Sequence, residues 1–415
     1  MRKFLIIIVY VTIIVAFLQR STEGIDWIEV SLGILSILNV AAIGIYLIVT
    51  NRLYGIPISL PLLLLIIAWL PFNIIWATAN GVNSIYALRR STPLFLFGIM
   101  ALSITQAFRS LAELKLAYAL IAVGSIVEVI LRLRAVAEPV THLQELRHLS
   151  DVMGGFYSVI GCTLLLPMII GSVARGVRIS ALIGFLIALL GLVLGMTRSY
   201  WLVGLASLLI VVRFYKIRDK ATVRRMFVFL LPGFLIISLI ISTNLGLSHF
   251  LQTRFLDLWA FRSDLSVLNR WQELLGVITA IGETPESLFL GRGMGREFSF
   301  YSIDPFYPSG VGLVNTDYSH NFYFYLLLQI GLPGWVLFHF PLIVTYIFVI
   351  KKLRHNLSTN RHLLAGLAGV LLGLLLVNLV APPLLLAGMA AHLGAVLGLA
   401  WRLAQETPTK DDKVK

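Results

Sequence analysis

Around residue 320 the chain reads Asp317-Tyr-Ser-His320-Asn321-Phe-Tyr-Phe-Tyr and runs on into Leu-Leu-Leu-Gln-Ile-Gly331-Leu-Pro-Gly334. A histidine at the mouth of an apolar run sets an imidazole where aqueous chemistry meets lipid, a natural place for a proton acceptor. The competing local role is a cap or interfacial anchor for the helix that begins near Asn321, among Tyr318, Phe322, Tyr323 and Tyr325. Two arginines stand out with it. Arg198 sits in the polar break Gly-Met-Thr-Arg-Ser between two apolar runs, where a charge is costly unless it faces a cavity or a partner. Arg270 borders an amphipathic stretch in which Leu268, Trp271, Leu274, Leu275, Ile278 and Ile281 recur at helical spacing, predicting a helix that lies on the membrane or caps a bundle. Glu273, three residues on, is placed to pair with Arg270. Guanidinium forks beside an imidazole suit a phosphate-bearing substrate and a proton transfer.

Other chemistry is poorly supplied. Gly291-Arg292-Gly293-Met-Gly295 fits neither a dinucleotide fingerprint nor a P-loop; it reads as an anion-binding concavity or, more simply, as a sharp turn that lets a loop pack closely. No His-x-x-His, His-Glu-x-x-His or close acidic pair occurs in the outer segments, so the expectation is no metal and no cofactor. The single cysteine, Cys162, excludes an intrachain disulfide.

The elements that must hold these groups are membrane helices. Hydrophobic residues make up 58% of the 415, charged residues 13%, and mean hydropathy is +0.90, values outside the soluble globular range. A hydrocarbon core takes roughly 20 apolar residues per helix, which predicts an all-α polytopic membrane protein of about twelve spans: 3–18, 27–49, 57–76, 92–108, 114–133, 153–173, 179–196, 199–213, 226–243, 321–350, 362–379 and 383–403. The run 321–350 is too long for one untilted span and carries Gly331-Leu-Pro-Gly334, so a short interfacial helix followed by the span is expected. Met-Arg-Lys and Phe4–Leu18 lack a small-residue cleavage site and read as the first span. The chain thus divides into spans over 1–243, a large outer helical loop over 244–320, spans over 321–403 and a tail over 404–415. Glu29 and Glu128 fall inside spans, the latter four residues from Arg132.

Charge orients the bundle. With the N-terminus cytoplasmic, all nine lysines and twelve arginines fall inside. The net charge of +13 is then a topology signal from short basic loops, and nucleic acid need not be invoked as a partner. Outside remain twelve arginines and no lysine, among them Arg89, Arg90, Arg198, Arg262, Arg270, Arg292 and Arg296. Local ion pairing is the plainer explanation of such a set; recognition of phosphate is the other.

Thr197-Arg198-Ser199 at the outer end of a helix pair, Arg270-Trp271, Gly291-Arg292-Gly293, and His320-Asn321 ahead of Gly331-Leu332-Pro333-Gly334 together resemble the bacterial O-antigen ligase family over roughly residues 180–350. That family shares its signature domain with O-antigen polymerases and protein O-oligosaccharyltransferases. The resemblance implies a GT-C-like bundle in the bacterial inner membrane, and metal-independent, inverting glycosyl transfer on the periplasmic face. The implied donor is a polyisoprenyl (undecaprenyl) diphosphate-linked glycan, and the acceptor a lipid A-core sugar hydroxyl, or a growing glycan if the enzyme is a polymerase. Carried over by position, Arg198 and Arg270 hold the diphosphate and His320 is the base, with Asn321, Arg262, Arg292, Arg89 and Arg90 as accessory candidates. Thr-Arg-Ser lacks the glycine common after the family's Ser-Arg, and Arg262 competes with Arg270 for the second position. A lipid-glycan flippase would bind the same diphosphate without chemistry, but such transporters are often built from matched repeats, which the chain does not show.

Overall fold

The computed structural model describes residues 1–18, 27–136, 155–171, 174–194, 198–215, 265–303, 310–355 and 360–406. The apolar runs form helices α1 (Arg2–Ala16), α2 (Trp27–Thr50), α3 (Ile56–Leu64), α4 (Leu70–Ala79), α5 (Ser84–Ala107), α6 (Leu111–Val136), α7 (Phe156–Ile170), α8 (Arg175–Leu194) and α9 (Arg198–Tyr215). The outer segment contributes α10 (Leu265–Gly282), the single turn α11 (Pro285–Phe289) and strands β1 (Phe298–Ser302) and β2 (Gly312–Thr316). The bundle closes with α12 (Phe322–Arg354), α13 (Arg361–Val377) and α14 (Ala387–Gln405). Among the described residues, seven helical segments are long and apolar enough to cross a membrane, and Phe156–Ile170 and Arg361–Val377 are shorter apolar helices. The chain is therefore a multi-pass membrane protein. The expected span 226–243 lies outside the described residues.

Two interruptions follow from proline and glycine. Between α3 and α4 the turn Leu65–Trp69 is π-helical, just before Pro71, which has no amide hydrogen to give back to the preceding turn. In α12 the backbone leaves helical geometry at Gly331 (φ 67°, ψ 176°), so the long apolar run is a short helix and a span meeting at a break, as its sequence predicts. Helix α14 packs closest against α5: a methyl on Gly394 would lie 2.1 Å from the carbonyl oxygen of Phe97, the approach that small residues permit between membrane helices.

The bundle has two ends. At one, Arg2 bonds Glu113 and the carbonyl of Ala107, Arg402 bonds the carbonyl of Phe108, and Arg361 bonds the carbonyl of Phe214. The described lysines, Lys3, Lys115, Lys351 and Lys352, sit at this end, on helix termini shared with those groups. The other end carries α10, α11, the hairpin and the start of α12, and its described cationic residues are arginines: Arg89, Arg90, Arg198, Arg270, Arg292 and Arg296.

The outer segment differs from the helical loop expected. Strands β1 and β2 form an antiparallel hairpin with Phe298 opposite Thr316, Phe300 opposite Val314 and Ser302 opposite Gly312. Its inner face joins Val277 and Ala280 of α10 and Leu328 of α12 in a small apolar core. This packing selects the face of α10 that turns inward: Asn269, Glu273, Val277 and Ala280 are buried, while Leu268, Trp271, Leu275 and Ile278 are exposed. The apolar stripe thus faces outward, as a helix resting on lipid would. Glu128 is buried within α6, whereas the side chains of Glu29 and Arg132 lie outside the described residues.

Candidate active site

His320 is fixed from three directions. On its C-terminal side, Asn321 caps α12 by accepting the amide of Phe324 at 3.2 Å, and its own side-chain amide donates to the carbonyl of Leu379 at 3.3 Å. The amide of Phe322 donates to the carbonyl of Asn378 at 2.8 Å, which ties the entry of α12 to the end of α13. Capping is thus the work of Asn321, and the imidazole is left for another partner.

That partner is Glu273. One carboxylate oxygen accepts the backbone amide of His320 at 2.5 Å and the other lies 2.8 Å from Nδ1 of the ring. The Glu273 side chain is 2% exposed and that of His320 29% exposed. With Nδ1 donating to this carboxylate, the ring's lone pair is left on Nε2, which has no partner among the described residues. Tyr318 stands edge-on to the ring at 5.1 Å between centroids and limits its swing. A buried acid that orients an imidazole whose far nitrogen is free is the arrangement of a general base.

Both oxygens of Glu273 are thus engaged with His320, and the pairing of Glu273 with Arg270 expected from helix spacing gives way to it. Arg270 lies one turn earlier on the same helix, half-buried. Arg198 is the first residue of α9. Helices α9 and α13 run antiparallel with Gly373 against Ser207, Gly369 against Ser207 and Val211, and Arg361 bonded to Phe214. Continued outward, that register carries the start of α9 to the end of the bundle where Asn378 and Leu379 hold Phe322 and Asn321. Arg198, Arg270 and His320 therefore share one end of the bundle.

The accessory candidates fare differently. Arg90 is engaged by Asp317, with Nε 2.6 Å from Oδ2 and a terminal nitrogen 2.8 Å from Oδ1. Arg292 pairs with Glu283 at 3.4 Å. Both are ion-paired within the protein, which is the plainer of the two expectations for the outer arginines. Arg89 neighbours Arg90 in α5, and Arg262 lies outside the described residues.

The glycine turn is a docking device. The break at Gly331 and the missing amide hydrogen of Pro333 leave the carbonyls of Leu328 and Gln329 without helical partners, and the amides of Arg292 and Gly293 supply them at 2.7 and 3.0 Å. The amide of Gly295 donates to Oε1 of Gln329 at 2.7 Å, and Asn73 of α4 joins the cluster by donating to the carbonyl of Gln329 at 3.0 Å. A methyl on Gly331 would lie 2.3 Å from the carbonyl of Phe289. These amides are spent on the protein itself, so the turn packs closely and does not cradle an anion.

Sequence reasoning passed over Glu273 as a site residue, and Asp317 and Tyr86 with it. A usable signal for Glu273 was its place with Asn269 and Val277, at four-residue spacing on a face distinct from the apolar stripe.

The described residues thus form a multi-pass helical bundle with a carboxylate–imidazole pair and half-buried arginines at one end. Residues 183–339 match the family model described as O-antigen ligase. Over those residues the chain is similar to the O-antigen ligase family, whose members are glycosyltransferase-like enzymes acting on lipid-linked glycans. The match spans Arg198, Arg270, Glu273 and His320 and excludes α5. No curated protein matches the chain.

Proposed function

We propose that the protein is an O-antigen ligase, transferring a glycan from polyisoprenyl diphosphate to a sugar hydroxyl of the lipid A core at the periplasmic face of the bacterial inner membrane. The observation that carries the reading is the bond from Nδ1 of His320 to the Glu273 carboxylate at 2.8 Å, which leaves Nε2 to act.

In this reaction Nε2 takes the proton of the acceptor hydroxyl as its oxygen attacks the anomeric carbon. The bond from that carbon to the diphosphate oxygen breaks on the opposite face, its electron pair leaves with the diphosphate, and the configuration inverts. Glu273 stabilises the imidazolium so formed. Arg198 and Arg270 neutralise the charge that grows on the leaving group, where a guanidinium fork outperforms an ammonium. With two guanidiniums the diphosphate needs no metal. The topology of about twelve spans and the GT-C-like arrangement belong to the same proposal, as does the choice of end: the arginine-only end faces the periplasm under the positive-inside bias.

Purified protein given undecaprenyl diphosphate-linked glycan and lipid A core should release undecaprenyl diphosphate with formation of capped lipid A core. Binding of the donor without release would instead mark a flippase.

A further inference from the structure

Resting on that reading, we infer that Arg90 and Asp317 are positioning residues for His320, forming a clamp that fixes the histidine segment to the membrane bundle. Asp317 is the start of the four-residue stretch that ends in His320. Its carboxylate is gripped through both oxygens by the fork of Arg90, at 2.6 and 2.8 Å, and also accepts the hydroxyl of Tyr86 at 2.6 Å. Arg90 in turn donates to the Tyr86 hydroxyl at 2.9 and 3.1 Å. Tyr86 and Arg90 are one turn apart on α5, so a rigid helix presents the whole grip.

The clamp is closed on a further side. A methyl on Gly295 would lie 2.9 Å from the Tyr86 ring and 3.5 Å from Cγ of Arg90, so the glycine turn lies directly over the pair. The side chains of Arg90 and Asp317 are 30% and 13% exposed. A bidentate pair so sheltered is geometrically demanding, and removing one partner strands the other's charge.

The consequence for His320 is one of reach. Three residue steps span at most about 10 Å, so a fixed Asp317 confines His320 on its N-terminal side as Asn321 and Phe322, bonded to Leu379 and Asn378, confine it on the other. Glu273 then sets the ring. Without the clamp the imidazole keeps its partner but loses its place relative to the arginines, and a displacement of about 1 Å can cost on the order of 100-fold in rate.

The test uses purified full-length Arg90→Met, Arg90→Lys and Asp317→Asn, with His320→Ala as reference. Transfer is followed as undecaprenyl diphosphate release, and donor-site occupancy by binding of glycan-free undecaprenyl diphosphate. Arg90→Met and Asp317→Asn should lose roughly 10- to 100-fold in kcat with binding of the lipid diphosphate unchanged, and Arg90→Lys should fall between them and the parent. In the His320→Ala background the same changes should leave residual transfer within about twofold, since no imidazole remains to be placed. The inference is overturned by parental kcat in the variants, by weakened lipid diphosphate binding that accounts for the loss, or by an equal further loss without His320. Collapse of all three variants to aggregated protein also overturns it, by making the clamp a requirement of folding. Parental transfer by His320→Ala would instead sink the functional reading while leaving the geometry of the clamp untouched.

Discussion

Glu273 and His320, 47 residues apart in sequence, are joined by two hydrogen bonds to one buried carboxylate, one donated by the backbone amide and one by Nδ1 of the ring. The double contact fixes the position of the residue and the orientation of its ring together. It also leaves Arg270, one turn away on α10, free of the carboxylate nearest to it in sequence.

Replacement of Glu273 by Gln keeps the volume but turns an acceptor pair into one acceptor and one donor, which favours the wrong tautomer of His320. Turnover should fall by about 10²- to 10⁴-fold with donor binding little changed, as read by steady-state kinetics. Retention of parental kcat would show that Nδ1 needs no carboxylate.

Arg198→Ala and Arg270→Ala should each weaken binding of undecaprenyl diphosphate and reduce kcat, since the charge they meet grows as the leaving group departs. Lysine at either position should restore part of the binding and little of the rate. The same assay on Arg262→Ala decides the second arginine: a loss there, with none in Arg270→Ala, moves the assignment to Arg262.

At Gly331 any side chain meets the carbonyl of Phe289 and must adopt a positive φ. Gly331→Ala should destabilise the protein by on the order of 3 kcal/mol, seen as a lowered thermal midpoint of the purified protein and reduced yield in membranes. Leu332→Ala, at an exposed neighbour, should leave both near the parent.

The acceptor is decided in the source cell. A strain lacking the gene should lose all capped lipid A core if the protein is a ligase, and should keep core capped with a single repeat unit if it is a polymerase. Electrophoresis of extracted lipopolysaccharide separates the two patterns.

Much of this was legible in the sequence for physical reasons. The helix break needed only glycine followed by proline in a run too long for one span, and Gly331 and Pro333 supply both. The arginine-only end followed from the distribution of lysine. The hairpin was harder: Phe298-Ser-Phe-Tyr-Ser alternates in burial, but five residues carry little period-two signal inside a segment expected to be helical. The pairing of Glu273 depended on which face of α10 the hairpin would bury, a tertiary fact that helix spacing does not contain. Arg90 and Asp317 lie 227 residues apart, and neither carries a local mark of the other.

The central claim is that His320, held by Glu273, takes the acceptor proton during transfer. The most direct measurement is release of undecaprenyl diphosphate by purified parent and His320→Ala protein, given the same donor and lipid A core. The account predicts release by the parent and loss of most turnover in His320→Ala, with glycan-free undecaprenyl diphosphate still bound and the protein still folded. Equal release by the two proteins would contradict it.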